Sequence, residues 1–192
     1  MKPIARKTTA PRGIVEAKGN SAKGLRDLFE LGLKDIYYAE KVLARNLPKM
    51  VKNATSPDLV NELNNHLSVT KEQVSRLEQI FKSTGIKARA KRCDAMDGIL
   101  KEANDMLQHA VKGNVRDAVI ISCDQKVDHY EIASYGTLHA YAKTLGEHEA
   151  ANLLSLTLDE AKRVDAALTR IAMTGINSKA WKADALTTIK RK

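Results

Sequence analysis

LRDLFELGLKDIYYAEKVLARNLPKM, residues 25–50, decides the fold class. Leu25, Phe29, Leu33, Ile36, Leu43, Leu47 and Met50 recur every three or four residues, which lays a single apolar stripe along a long helix. Such a stripe is stable only when other helices cover it. Glu40 falls four residues after Ile36 and three before Leu43, so a carboxylate stands where the pattern calls for an apolar side chain. Pro48 predicts a kink or a local opening in the last turns.

Downstream, TSPDL (55–59) restarts the chain. Ser56 is a suitable N-cap, Pro57 suits the first helical position, and Asp58 complements the helix dipole. The second stripe holds Leu59, Leu63, Leu67, Val74, Leu77, Ile80 and Phe81 and stops near Gly85. A shorter amphipathic segment, 92–111, carries Met96, Ile99, Leu100, Met106 and Leu107 and ends at Gly113-Asn114. Two more long stripes follow, Val115 to Leu145 and Glu147 to Met173, the last stopping before Gly175. Four long helices, with a longer connection between the second and third, predict an all-α, ferritin-like four-helix bundle: two up-down hairpins joined by a crossover that contains a short extra helix. The hairpins also repeat weakly at an offset of 91 residues, which lays YYAEKVL (37–43) over DHYEIAS (128–134), Glu40 over Glu131, Leu77 over Leu168 and Val69 over Glu160.

Upstream of the body, MKPIARKTTAPRGIVEAKGN (1–20) mixes Pro, Gly, Thr and charge without a stripe and reads as a disordered basic arm. Residues 21–175 form the bundle domain and 176–192 a basic tail. The net charge of +9 belongs to these ends, because residues 25–175 hold as many acidic as basic side chains. Solvated tails are the simplest reading, with weak DNA association through them as the functional one. The 4% aromatic content suits helices better than twisted sheets. No apolar run approaches the roughly 20 residues of a membrane span, and no secretory h-region opens the chain, so a cytoplasmic protein with no membrane partner is expected. Cys93 and Cys123 suggest buried reduced thiols, with neither a disulfide framework nor a thiolate site. There is no G-x-S-x-G, P-loop or G-x-G-x-x-G motif.

Further ionisable groups fall on inner faces. His66 lies three after Leu63 and four before Thr70. Glu131 stands four residues from Val127 and from Tyr135, with Asp128 one turn before it, and Glu160 lies four before Val164. A lone inward Glu is usually a rim residue or an ion-pair partner, and a lone His usually a satisfied core residue. Here all four long helices send such a group inward. Buried carboxylates must be neutralised by protons, basic partners or a cation. A metal centre accounts for them together, and carboxylate with imidazole suits iron, manganese or zinc. The five tyrosines are expected to be core residues with hydrogen-bonded hydroxyls.

DIYYAEK (35–41), ATSPDL (54–59), RLEQIF (76–81), KRCDAMDGIL (91–100), KVDHYEIASYGTL (126–138) and TLDEAKRVDAALTRIA (157–172) resemble the YciE/YciF family of bacterial ferritin-like stress proteins over about 25–173. The resemblance implies a ferritin-like bundle, commonly a homodimer, tied to stress response. It makes Glu40, Glu131 and Glu160 bridging or terminal metal carboxylates, with His66 and Asp128 as their partners. Two departures bear on a dinuclear site. Members of the family carry Glu where this chain has Val69, with Glu72 one turn on as the nearest substitute, and Arg163 stands where a ferritin-like Glu-x-x-His would place histidine. Two functions are therefore expected to compete. One is a di-iron or mixed-metal protein handling iron, oxygen or peroxide, which as an enzyme would be a di-metal oxidoreductase. The other is a metal-free, non-enzymatic, dimeric stress or structural protein.

Overall fold

The computed structural model describes residue 15 and residues 22–182; the proposed arm at 1–20 lies outside these but for Val15, as does the tail from 183. The described residues are helical throughout their ordered elements: α1 (Leu25–Asn53), α2 (Pro57–Thr84), α3 (Asp94–His109), α4 (Asn114–Thr144) and α5 (His148–Ile171), followed by a wide π turn at Ala172–Ile176. The expected architecture is present. α1 packs on α2 and α4, α5 packs on α2 and α4, and α3, inside the crossover, covers the outside of α4 and touches α1. Every neighbouring pair in the four-helix ring is antiparallel, so α2 and α4 run parallel across the diagonal.

The stripe read from residues 25–50 is the buried face of α1: Phe29, Leu33, Ile36, Leu43 and Leu47 are wholly shielded from solvent, and so is Glu40. Each such apolar side chain stabilises the fold by about 1.5–3 kcal/mol relative to exposure. At Gly32, a Cβ would lie 2.8 Å from Leu138 Cδ2, so the glycine lets α1 approach α4 closely. On α5 the buried face is built largely of alanine (Ala150, Ala151, Ala161, Ala167), which brings its backbone close to its neighbours.

α1 runs on through Pro48 to Asn53 as one helix, without the donor that Pro48 lacks. Two local expectations are revised. Ser56 occupies the N-cap position of α2, but its side chain makes no capping bond. Asp117 of α4 instead anchors the two residues that lead into the helix: its carboxylate accepts from Thr55 N (2.7 Å), Thr55 Oγ1 (2.6 Å) and Ser56 N (3.0 Å). The last helix does not stop before Gly175, because the π turn absorbs an extra residue and helical backbone runs on to 182. That turn buries Ile176 and leaves Met173 exposed.

Cys93 and Cys123 are free and buried. Four of the five tyrosines have bonded hydroxyls: Tyr37 donates to Glu78, Tyr38 to Asp97 and Tyr135 to Glu40, and Tyr130 pairs with Cys93 Sγ. Among the described residues, no helix is long and apolar enough to cross a membrane.

Candidate metal centre

α4 supplies the site's acids because three of them share one face: Asp124, Asp128 one turn on, and Glu131 three residues further. Tyr135 extends the row, and all four are buried. From α2, across the diagonal, His66 reaches the same level, and from α1 comes Glu40. His66, Asp128 and Glu131 each offer a ligand atom within 4.8 Å of those of the other two.

His66 is oriented by Asp124. Its Nδ1 lies 3.1 Å from Asp124 Oδ2, so with Nδ1–H donating, the neutral ring turns the lone pair of Nε2 towards Asp128, whose Oδ1 is 3.8 Å away. A carboxylate behind a histidine is the usual means of fixing the tautomer and ring plane of a metal-binding imidazole. Glu40 Oε1 accepts from Tyr135 Oη at 2.6 Å.

What these carboxylates lack is as informative. Both oxygens of Asp128, both of Glu131, Glu40 Oε2 and Asp124 Oδ1 are buried without a hydrogen-bond partner. Unsatisfied buried acceptors cost about 1–3 kcal/mol each, more when charged, so a cluster of them calls for protons or a cation. The titration behaviour says the same. Burial drives Asp128 up to about 8, reinforced by Asp124 and opposed by His66. Burial lifts Glu40 to about 7, against the Tyr135 hydrogen bond and the charge of His66, and pushes Glu131 well above the ordinary carboxylate range, with Glu40 and Asp128 adding repulsion. For His66, burial disfavours the charged form, but Asp124, Asp128 and Glu40 together raise it to about 9. The donor set of imidazole nitrogen and carboxylate oxygen fits a borderline or hard divalent ion.

Glu160 and Glu72 are placed differently. Glu160 is only partly buried, and its carboxylate forms a two-pronged pair with Arg76, Nη1 to Oε2 at 2.7 Å and Nη2 to Oε1 at 3.0 Å. Gln73 Nε2 donates to the same Oε2 at 3.2 Å. Glu72 is exposed and stands apart from the buried group. Arg163 is exposed as well, on the rim of a cleft between α2 and α5 that Val69 and Glu160 also line, so the cation that neutralises Glu160 is Arg76. Sequence reasoning missed Asp124 and Arg76. Asp124 was within reach, since it lies four before Asp128 and seven before Glu131 on the face already identified.

Over residues 24–181 the chain matches a family described as a domain of unknown function, DUF892. The chain belongs to this family. It is 42% identical over 159 residues to protein YciF of Escherichia coli (strain K12), covering 82% of this chain and 96% of that protein. The crystal structure of the E. coli stress protein YciF superposes with a TM-score of 0.78 at 41% identity, over 81% of this chain and 99% of that one. YcfI of Rhodopseudomonas palustris, which carries a provisional description as a structural protein, gives 0.77 at 40% identity, over 80% and 98%. The YciE/YciF resemblance of the sequence is thereby established, and with it a YciF-like helical bundle.

Proposed function

We propose that this YciF-like chain is a stress-associated metal-binding protein that holds a divalent cation (iron, manganese or zinc) on His66, Asp128 and Glu131 inside the bundle. One observation carries the reading: four carboxylate oxygens, two on Asp128 and two on Glu131, are buried without hydrogen-bond partners beside a histidine that Asp124 holds in a ligating orientation. Glu40, with Oε2 free, is the fourth ligand available. A redox-active ion here would supply one-electron chemistry towards oxygen or peroxide, consistent with the stress role in the description of the E. coli relative. The protein's part is to orient the imidazole, exclude water and hold Glu40 through Tyr135.

A metal-free structural protein is the competing reading, favoured by the raised proton affinities of Asp128 and Glu131, which allow protons to neutralise the core instead. Metal analysis of protein purified without added ions separates the two. The proposal expects about one equivalent of metal per chain, or its uptake from anaerobic Fe(II), Mn(II) or Zn(II) with a rise in the thermal midpoint. Less than about a tenth of an equivalent, with no midpoint change on loading, would leave the structural reading.

A further inference from the structure

The polar core of the bundle is divided in two. On the α4 side, the oxygens of Asp128 and Glu131 have no hydrogen-bond partners. On the α5 side, both oxygens of Glu160 are taken: Arg76 grips them through two nitrogens at 2.7 and 3.0 Å, and Gln73 Nε2 donates to one of them. Arg76 is itself fixed, because Nη1 also donates to the buried Thr157 Oγ1 at 2.7 Å. Its side chain and that of Glu160 keep only 15% and 17% of their surface exposed. A two-pronged guanidinium–carboxylate pair shielded to this degree is among the stronger ionic contacts a protein makes. Val69, on the same α2 face and lining the cleft beside Glu160, offers no ligand atom.

The geometry points to Arg76 as a built-in cation that fills the α5 half of the carboxylate core, so that the centre takes one divalent ion and excludes a second. This rests on the metal reading above and fixes its nuclearity and donor set. Glu160 is withheld from the metal and serves as the counter-ion of Arg76. A second ion would have to compete with a tethered guanidinium for the same two oxygens. Glu40 lies between the halves, its Oε1 bonded to Tyr135 and its Oε2 free for the single ion.

Equilibrium dialysis against Co(II) or Zn(II), followed by elemental analysis, tests the assignment in the full chain. The wild type should saturate at about one equivalent, and Arg76→Met, which keeps the apolar stem and removes the charge, should take up a second, while Arg76→Lys restores single occupancy. Glu160→Gln should leave the first ion's affinity within about threefold, a readout that stands even if Arg76→Met fails to fold. Two equivalents in the wild type, one in a folded Arg76→Met, or a loss beyond about tenfold in Glu160→Gln would overturn the role of Arg76 and leave the metal reading intact. No uptake by the wild type would overturn both.

Discussion

Asp117 and Asp128 sit on the same buried face of α4, about three turns apart, and neither exposes any surface. Their surroundings are opposite. Asp117, at the end of the bundle, accepts three hydrogen bonds from Thr55 and Ser56 and ties α4 to the start of α2. Asp128, at mid-height, has no hydrogen-bond partner on either oxygen and faces His66 and Glu131. Burial is equal, so burial does not separate a structural acid from a ligand. Satisfaction of the acceptors does: a carboxylate saturated by donors of its own fold is a fastener, and one left open among other open acceptors is built to receive something else.

The sharpest way to break the comparison is to neutralise the two kinds of acid. Asp128→Asn combined with Glu131→Gln should weaken Zn(II) or anaerobic Fe(II) binding by about a thousandfold or more, since two of the three converging ligands lose their charge. The same variant should hold or gain thermal stability without metal at pH 8, because repulsion in the core disappears. A metal affinity within about tenfold of wild type would show that these acids are not ligands. Asp117→Ala should do the reverse. It strands the Thr55 and Ser56 donors and should cost about 2–4 kcal/mol, a midpoint drop on the order of 10 °C, with metal stoichiometry unchanged.

The pH dependence sharpens the contrast at the centre itself. Glu40, Asp128 and Glu131 all have folded values above their ordinary ones, and so does His66. The folded, metal-free protein therefore binds more protons than the unfolded chain, and the stability these groups contribute is lost as pH rises. For the carboxylates the loss begins near the ordinary carboxylate range and runs through about 7 for Glu40 and about 8 for Asp128; for His66 it runs up to about 9. The thermal midpoint of metal-free protein should fall from pH 6 to pH 9 by an amount equivalent to a few kcal/mol, about 5–10 °C. The midpoint gain on adding Zn(II) should grow over the same interval, because ligation displaces protons. A metal-free midpoint that is flat or rising across this interval would contradict the open-acceptor account.

The helices were legible because α1, α2, α3 and α5 each set an apolar stripe against a charged face. On α4 the contrast is nearly flat, since acids occupy the inner face at Asp117, Asp124, Asp128 and Glu131. Glu131 and Asp128 could still be found, being flanked by Val127 and Tyr135. Asp124, one turn before Asp128 on the same face, and Asp117, in the first turn of α4, were not singled out. Glu40 and His66 stood out because their neighbours on the stripe are apolar. Glu160 stood out for the same reason, but its partner Arg76 comes from another helix, and a contact between residues 84 positions apart leaves no local trace. Pattern along one helix reveals that a polar group points inward; only the packing of several helices reveals whether it is answered there.

Asp124 gives the smallest and most discriminating effect. Its one hydrogen bond into the site is to His66 Nδ1, so its role is to hold the imidazole ring and the tautomer that leaves Nε2 free. Asp124→Asn keeps the shape and can still accept from Nδ1–H, but it supplies no charge and its amide can rotate to present a donor instead. Metal affinity should fall by about tenfold, towards the lower end of what removal of such an orienting carboxylate costs. A role confined to packing would change the melting temperature and leave affinity alone. The reverse pattern, with affinity reduced and the metal-free midpoint nearly unchanged, would place Asp124 behind His66 as an orienting residue. A loss comparable to that of the Asp128 and Glu131 variant would instead make Asp124 a ligand through its open Oδ1, and the line between oriented and orienting acids on α4 would have to be redrawn one turn earlier.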